Sequence, residues 1–545
     1  MRRPAVLLTI GVYLVTSLPY IYGYMRQTAE ERFTGVVFDV VDTAQYYAWM
    51  RAFTHNPLIA NPLTPEDGAQ RFFNLQWWLL GLLSGGSPLG ATLVYQGLRV
   101  VALLAFAWVV YRFAELLFGQ RAFFPFAVVM LSSGFGWMLV VAKQWTGELR
   151  WPLSVQIAEP NTWFSAMAFP HLLVAAALML GIYLVFLRAL DTSNQQTGPA
   201  WLPQRPSWRL LAGLTGLSLV LGFSHGYDLL PVVVVPGVFV LAQVARSRSL
   251  TPGAWPLAAI GIGAAPPAIY TLALTRLDPD WAGVLSQYGN AGVYTPALPQ
   301  LVILMGLPLL LALPRLRPSE WRSATTAGQF VRCWMVAGFS LLYIPTDYQV
   351  KMLTGWQVPV CLLASMTLLN VAHEVRSTRP ALSLRPLAKL VPVVVLGTLF
   401  LTNAYLTTWR VVDLRRADYP YFLTSGDVVA LESLDRPEGA GAIVLSSPEL
   451  GVWVPVYSDA RPYVAHWAQT LRFLERRDQV AWFFAASTTS AERNAFLESN
   501  AIDLVLAGPA EGLIGGNPSA PELELERIVD GQTAVYITRR GQAAQ

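Results

Sequence analysis

Apolar residues run in long blocks separated by short polar joints. Blocks near 5–24, 91–117, 122–142, 164–188, 209–225, 227–245, 254–275, 298–314, 328–345, 355–374 and 387–409 have lengths suited to a helix crossing a bilayer. The pattern predicts about eleven spans, several short or interrupted by Pro and Gly. The first follows Arg2 and Arg3 directly, and no small-residue cleavage site succeeds it. It therefore reads as an uncleaved first span with its N-terminus in the cytoplasm.

Two stretches break the pattern. The segment 25–90 is a long loop after the first span. Within it, 42–54 reads as a helix, 56–68 is rich in turn signals, and 71–83, with Trp77 and Trp78, reads as an amphipathic or re-entrant helix. After Trp409 the apolar blocks stop. The runs 442–447, 462–466 and 502–508 read as strands, 471–484 and 490–500 as helices, and 525–538 as a hairpin turning at Asp530–Gly531. Strands alternating with helices predict a small α/β domain. The expected division is a transmembrane domain over 1–409, with 25–90 as its first outer loop, and an extracytoplasmic α/β domain over 410–545. No internal repeat or low-complexity tract is visible.

Composition agrees. Of 545 residues, 54% are hydrophobic and 13% charged, with a mean hydropathy of +0.43. About 25% charged residues is usual in soluble proteins, so the chain falls in the membrane class. The net charge of +4 comes without a Lys/Arg-rich patch, which argues against a nucleic-acid partner. Arginines concentrate in alternate joints, among them Arg112, Arg121, Arg188, Arg246, Arg315 and Arg322. This bias places those joints in the cytoplasm and 410–545 outside. Cys333 and Cys361 both fall in apolar blocks and read as small buried residues.

With this topology, the unusual polar residues collect in the outer loops. They are Asp39, Asp42 and Tyr46, with Arg71 further on; Glu159 and His171; His225 and Asp228; and Asp347 and Lys351. Ionisable groups at a membrane mark sites by default, yet each has a structural reading. Asp42 with Gln45 fits a capping box, and Asp39 fits a solvated loop acid. Glu159 can cap the helix after Pro160. His171 fits a satisfied histidine on a buried face, and His225–Asp228 a plain turn. Lys351 fits a snorkelling anchor, with Asp347 four residues before it as a pairing candidate.

The layout resembles the GT-C superfamily of membrane glycosyltransferases that use polyprenyl-phosphate-linked sugars. It is similar to protein O-mannosyltransferases, the lipid A aminoarabinose transferase and the oligosaccharyltransferase catalytic subunit. The resemblance rests on Asp42-Thr-Ala-Gln-Tyr-Tyr-Ala-Trp-Met-Arg51 in the first loop. It rests also on Lys351-Met-Leu-Thr-Gly-Trp-Gln-Val-Pro359 in a late loop and on the outer tail from Tyr419 to Arg540. It implies an inverting, hexosyltransferase-like enzyme at the outer face. Asp42 and Asp39 would be the catalytic acids, and Lys351 and Arg71 would hold the donor phosphate. Tyr46, Glu159, His171, His225, Asp228 and Asp347 complete the candidate site. The partners implied are the bilayer, the lipid-linked donor, and a glycan, lipid or protein acceptor. A divalent metal, Mg or Mn, held by Asp39, Asp42 and Glu159 stays open. So do two other readings: a transporter or flippase of a lipid-linked saccharide, and a non-catalytic envelope protein.

Overall fold

The computed structural model describes residues 1–149, 153–194, 206–248, 251–291, 294–378, 385–436, 440–514, 526–529 and 532–544. All eleven apolar blocks contain helix. Among the described residues, eight helices are long and apolar enough to cross a membrane, and nine if the bent pair Leu298–Met305 and Leu307–Leu316 is one span. The remaining blocks form the shorter helices Trp208–Ser224 and Thr326–Leu341. The chain is a mainly α-helical polytopic membrane protein. The count falls below eleven because Pro and Gly shorten or bend these elements rather than remove them.

By compactness the chain forms two units. The first comprises Met1–Leu18, Leu98–Thr271 and Val293–Trp409. Its core is aromatic: Tyr183, Phe186, Phe239, Phe330 and Trp334 are buried together, with the Tyr183 and Trp334 rings 5.0 Å apart. Two spans are broken here. Phe123–Leu131 stops and resumes as Gly136–Thr146, while the pair around Gly306 bends by 101°. The breaks meet at Gly134 and Gly306: Gly306 has φ +65°, and a Cβ on Gly134 would stand 2.2 Å from the Leu304 carbonyl oxygen. Breaking a helix in an apolar medium frees backbone groups that must find partners. Phe135 N–H donates to the Ile303 carbonyl. Thr402 Oγ1 donates to the Gly134 carbonyl, and Asn403 Nδ2 to that of Leu131. Cys333 and Cys361 are buried thiols, as expected.

The second unit comprises Pro19–Gly97, Leu272–Gly292 and Arg410–Gln545. Compactness thus groups most of the first loop with the C-terminal region. A two-stranded ladder ties them: β1 (Glu31–Phe33) runs antiparallel to β2 (Phe422–Thr424), with Phe33 opposite Phe422. The α/β part is a five-stranded sheet of β3 (Ile443–Leu445), β4 (Arg461–Pro462), β5 (Leu504–Ala507), β6 (Glu526–Val529) and β7 (Ala534–Ile537), in the order β4-β3-β5-β7-β6. β3 is parallel to β4 and β5, and the other pairs are antiparallel. The helices Phe473–Phe484 and Ser490–Ser499 arise as expected, and Phe483, Phe484 and Leu497 join Leu445, Val464 and Val505 in the core. The β6–β7 hairpin forms, while its turn at Asp530–Gly531 lies outside the described residues. The expected strand at 462–466 is shorter than read: it ends at Pro462, and His466 lies beyond it, just before a turn.

Candidate functional site

In the second unit, the helix over the first-loop motif runs Val40–His55 and starts earlier than the sequence suggests. Its N-cap is Asp39, not Asp42: Asp39 Oδ1 accepts the Asp42 N–H at 3.3 Å. Asp39 holds φ 46°, a left-handed conformation that Asp tolerates better than most residues. Capping by Asp39 leaves the Asp42 side chain to other partners in the first turn. Trp467 Nε1–H donates to Asp42 Oδ1 at 3.1 Å, and His466 Nε2 lies 3.0 Å from the same oxygen. His466 Nδ1 accepts the backbone N–H groups of Ala468 and Gln469 at 3.0 and 3.3 Å. A nitrogen that accepts carries no proton, so these bonds assign the Nε2–H tautomer, and the imidazole donates to Asp42 as a neutral group.

The turn that brings these donors is held tightly within the unit. Thr470 Oγ1 donates to the Leu63 carbonyl and Asn61 Nδ2 to that of Gln469. Gln287 Nε2 donates to the Ala468 and Thr470 carbonyls, and Asn290 Nδ2 to that of Trp467. Arg476 clamps the same region through Glu66. Burial alone would raise the Glu66 carboxyl, but hydrogen bonds from Arg476 and Thr64 overcome it and hold the group below its usual value. Tyr46 stacks on Trp77 with centroids 4.4 Å apart and an interplanar angle of 9°. Burial, and then the Asp42 carboxylate beside it, pushes its hydroxyl well above the usual range, so it keeps its proton. Arg71 pairs with Asp278 at 3.1 Å.

In the first unit Lys351 meets Glu159, and His225 meets Asp228 and neighbours His171. Lys351 Nζ lies 2.9 Å from Glu159 Oε1; Glu159 is 8% exposed and Lys351 35%. The acid meeting Lys351 therefore comes from a distant loop, while Asp347 is exposed in Lys351's own turn. Glu159 does not cap the next helix. Asn161 does, accepting the Phe164 N–H at 3.1 Å, which leaves Glu159 to the lysine. The short 3-10 turns Gly226–Asp228 and Gln349–Leu353 pack together, with the Tyr227 and Tyr348 rings 5.0 Å apart. Beside them His225 Nδ1 lies 2.6 Å from Asp228 Oδ2, and the His171 ring is 6.0 Å from that of His225.

Each residue proposed for a metal has another partner within its own unit. Asp39 caps a helix, one Asp42 oxygen is taken by two N–H donors, and Glu159 faces an ammonium. Among the described residues, no three His, Cys, Asp or Glu side chains converge as a cation site. No step is therefore assigned to Mg or Mn.

Sequence reasoning missed His466 and Trp467, reading the first as the end of a strand. Their signal is positional: they follow the C-terminal end of a strand that pairs in parallel, where α/β sheets place ligand sites.

No known family profile and no curated protein matches the chain. Solved structures do. The apo oligosaccharyltransferase of Archaeoglobus fulgidus aligns with a TM-score of 0.52 at 13% identity, over 95% of this chain and 72% of that one. The Archaeoglobus fulgidus oligosaccharyltransferase AglB, in complex with an inhibitory peptide and a dolichol-phosphate, aligns with a TM-score of 0.52 at 12% identity, over 92% and 69%. The same enzyme tethered to an acceptor peptide containing an NVT sequon gives 0.51 at 12% identity. At this identity the likeness speaks for the fold. The chain is a polytopic membrane protein with the GT-C fold.

Proposed function

We propose that the chain is a membrane glycosyltransferase. It moves a sugar from a polyprenyl-phosphate donor to a hydroxyl acceptor at the outer face of a bacterial cytoplasmic membrane. The carrying observation is the setting of Asp42: a carboxylate on the first loop of a GT-C fold, oriented by two neutral donors on a clamped turn. A dolichol-phosphate bound to a protein of the same fold supports a lipid-phosphate donor. The reaction is an inverting displacement of hexosyltransferase type. The acceptor oxygen attacks the anomeric carbon, the bond from that carbon to the phosphate oxygen breaks, and the lipid phosphate leaves with the electron pair. Asp42 takes the acceptor proton. Lys351 stabilises the charge gathering on the phosphate, with Glu159 holding the ammonium in place. Arg71 is a second phosphate candidate, and its bond to Asp278 makes it the weaker one. Outer placement of 410–545 follows from the arginine bias.

The broken spans favour one other reading, a transporter of a lipid-linked saccharide, since transporters build sites from interrupted helices. Against it, Thr402 and Asn403 fill hydrogen-bonding places at the first break. Mass spectrometry of envelope glycans with and without the gene tests the choice. Transfer predicts one missing saccharide and an unconsumed lipid-linked donor on the outer leaflet. An unchanged glycan profile overturns it.

A further inference from the structure

The turn that orients Asp42 also presents aromatic faces. Trp467 and Tyr288 are half-buried, their ring centroids 6.0 Å apart and inclined at 51°. The His466 ring lies 5.0 Å from that of Trp467, inclined at 32°. The indole edge is fixed by its N–H bond to Asp42, and the backbone beneath is held by Asn290 and Gln287. Core aromatics of this unit, such as Tyr47 and Trp453, are buried almost completely. Trp467 and Tyr288 are not, although Gln287 and Asn290 tie the segments carrying them to one another. Aromatic side chains that only anchor a protein at a lipid interface need no such fastening. A rigid aromatic face costs little entropy on binding, and a locked supporting shell is what a built site requires.

Resting on the transferase reading, we propose that Trp467, Tyr288 and Asp42 form the acceptor subsite, and that the acceptor is a saccharide. The C–H face of a pyranose or furanose ring packs on an aromatic plane, and its rim carries hydroxyls. A sugar lying on Trp467 has its rim at the indole edge, where Asp42 stands, so one hydroxyl meets the carboxylate that removes its proton. A Ser, Thr or Asn acceptor side chain presents its hydroxyl or amide without a ring of its own to stack beside the acid.

The test is saturation-transfer NMR on the purified full-length protein in nanodiscs, without donor. The probes are free glucose, mannose, galactose and arabinose with their disaccharides, and as controls Ser-, Thr- and Asn-containing peptides. At least one saccharide should bind, through its ring C–H protons. Trp467→Ala and Tyr288→Ala should each weaken it by about tenfold, while Trp467→Phe, which keeps a ring, retains part. Thermal unfolding of each variant separates lost binding from lost fold, and Tyr288→Ala, which leaves the Asp42 bonds in place, stands if Trp467→Ala misfolds. Binding of no saccharide, or of peptide alone, overturns the subsite. Labelling by a photoactivatable polyprenyl-phosphate sugar is followed in parallel. Labelled protein that binds no saccharide sinks the subsite and leaves the transferase reading. Saccharide binding that depends on Trp467, without such labelling, leaves a saccharide site on these residues but overturns its acceptor role together with the transferase reading.

Discussion

Two acids, one in each compact unit, are held in opposite ways. Glu159 is 8% exposed and faces a cation, the Lys351 ammonium, at 2.9 Å. Asp42 receives the neutral N–H groups of His466 and Trp467. The first pair cancels its charge locally, so its carboxylate serves chiefly to aim the ammonium. The Asp42 donors orient the carboxylate without cancelling it, and its side chain keeps 20% exposure. One acid is a support and the other is left able to act. That difference, more than either residue's identity, is why Asp42 rather than Glu159 is proposed as the base.

The comparison breaks most sharply by substitution of the two acids. Asp42→Asn keeps the shape but removes proton acceptance, and transfer should fall by about 10²–10⁴-fold with thermal unfolding unchanged. Near-normal transfer would reduce Asp42 to a structural residue. A third acid sharpens the contrast. Glu511 accepts the N–H groups of Ser447 and Gly508 and is fully buried, and burial lifts its carboxyl to about 7. The unfolded chain loses this proton at lower pH than the folded one, so stability should decline as pH rises from about 4.5 to 7, by about 3 kcal/mol. Calorimetric unfolding across that range checks it, and the decline should vanish in Glu511→Gln. Next is the support pair: Lys351→Ala should weaken labelling by a lipid-phosphate donor by about 10- to 100-fold, with Lys351→Arg restoring part. Unchanged labelling would return Lys351 to an anchoring role. The smallest effect concerns Asp39. Asp39→Ala loses a cap and places Ala at φ 46°, costing about 1–2 kcal/mol. Asp39→Asn, which caps and tolerates that conformation, should keep both stability and transfer. A large loss of transfer in Asp39→Asn would make Asp39 chemical as well.

Much of the fold is legible in the sequence because its signals are local. Twenty apolar residues in a row need no partner to be recognised, and the alternation after Trp409 announced the α/β part. The first-loop helix was visible too, but its start was not. Asp-Thr-Ala-Gln has the form of a capping box, yet Asp39 takes the cap from a left-handed conformation that no short pattern reports. The cap of the helix after Pro160 failed similarly, since Asn161 was the better acceptor. The polar candidates stood out in the sequence because such residues are conspicuous at a membrane. Their pairings were not, because Asp42 meets His466 across 424 residues and Lys351 meets Glu159 across 192. Such contacts depend on tertiary placement, which short-range spacing does not encode.

The central claim is that this chain cleaves a sugar from a lipid phosphate. The direct measurement is incubation of the nanodisc-embedded protein with radiolabelled polyprenyl-phosphate sugars and a saccharide acceptor, followed by separation of lipid from water-soluble label. The account predicts label leaving the lipid only with wild-type protein, and scarcely with Asp42→Asn. Donor left intact by a folded wild-type protein, for every sugar and acceptor offered, would contradict it.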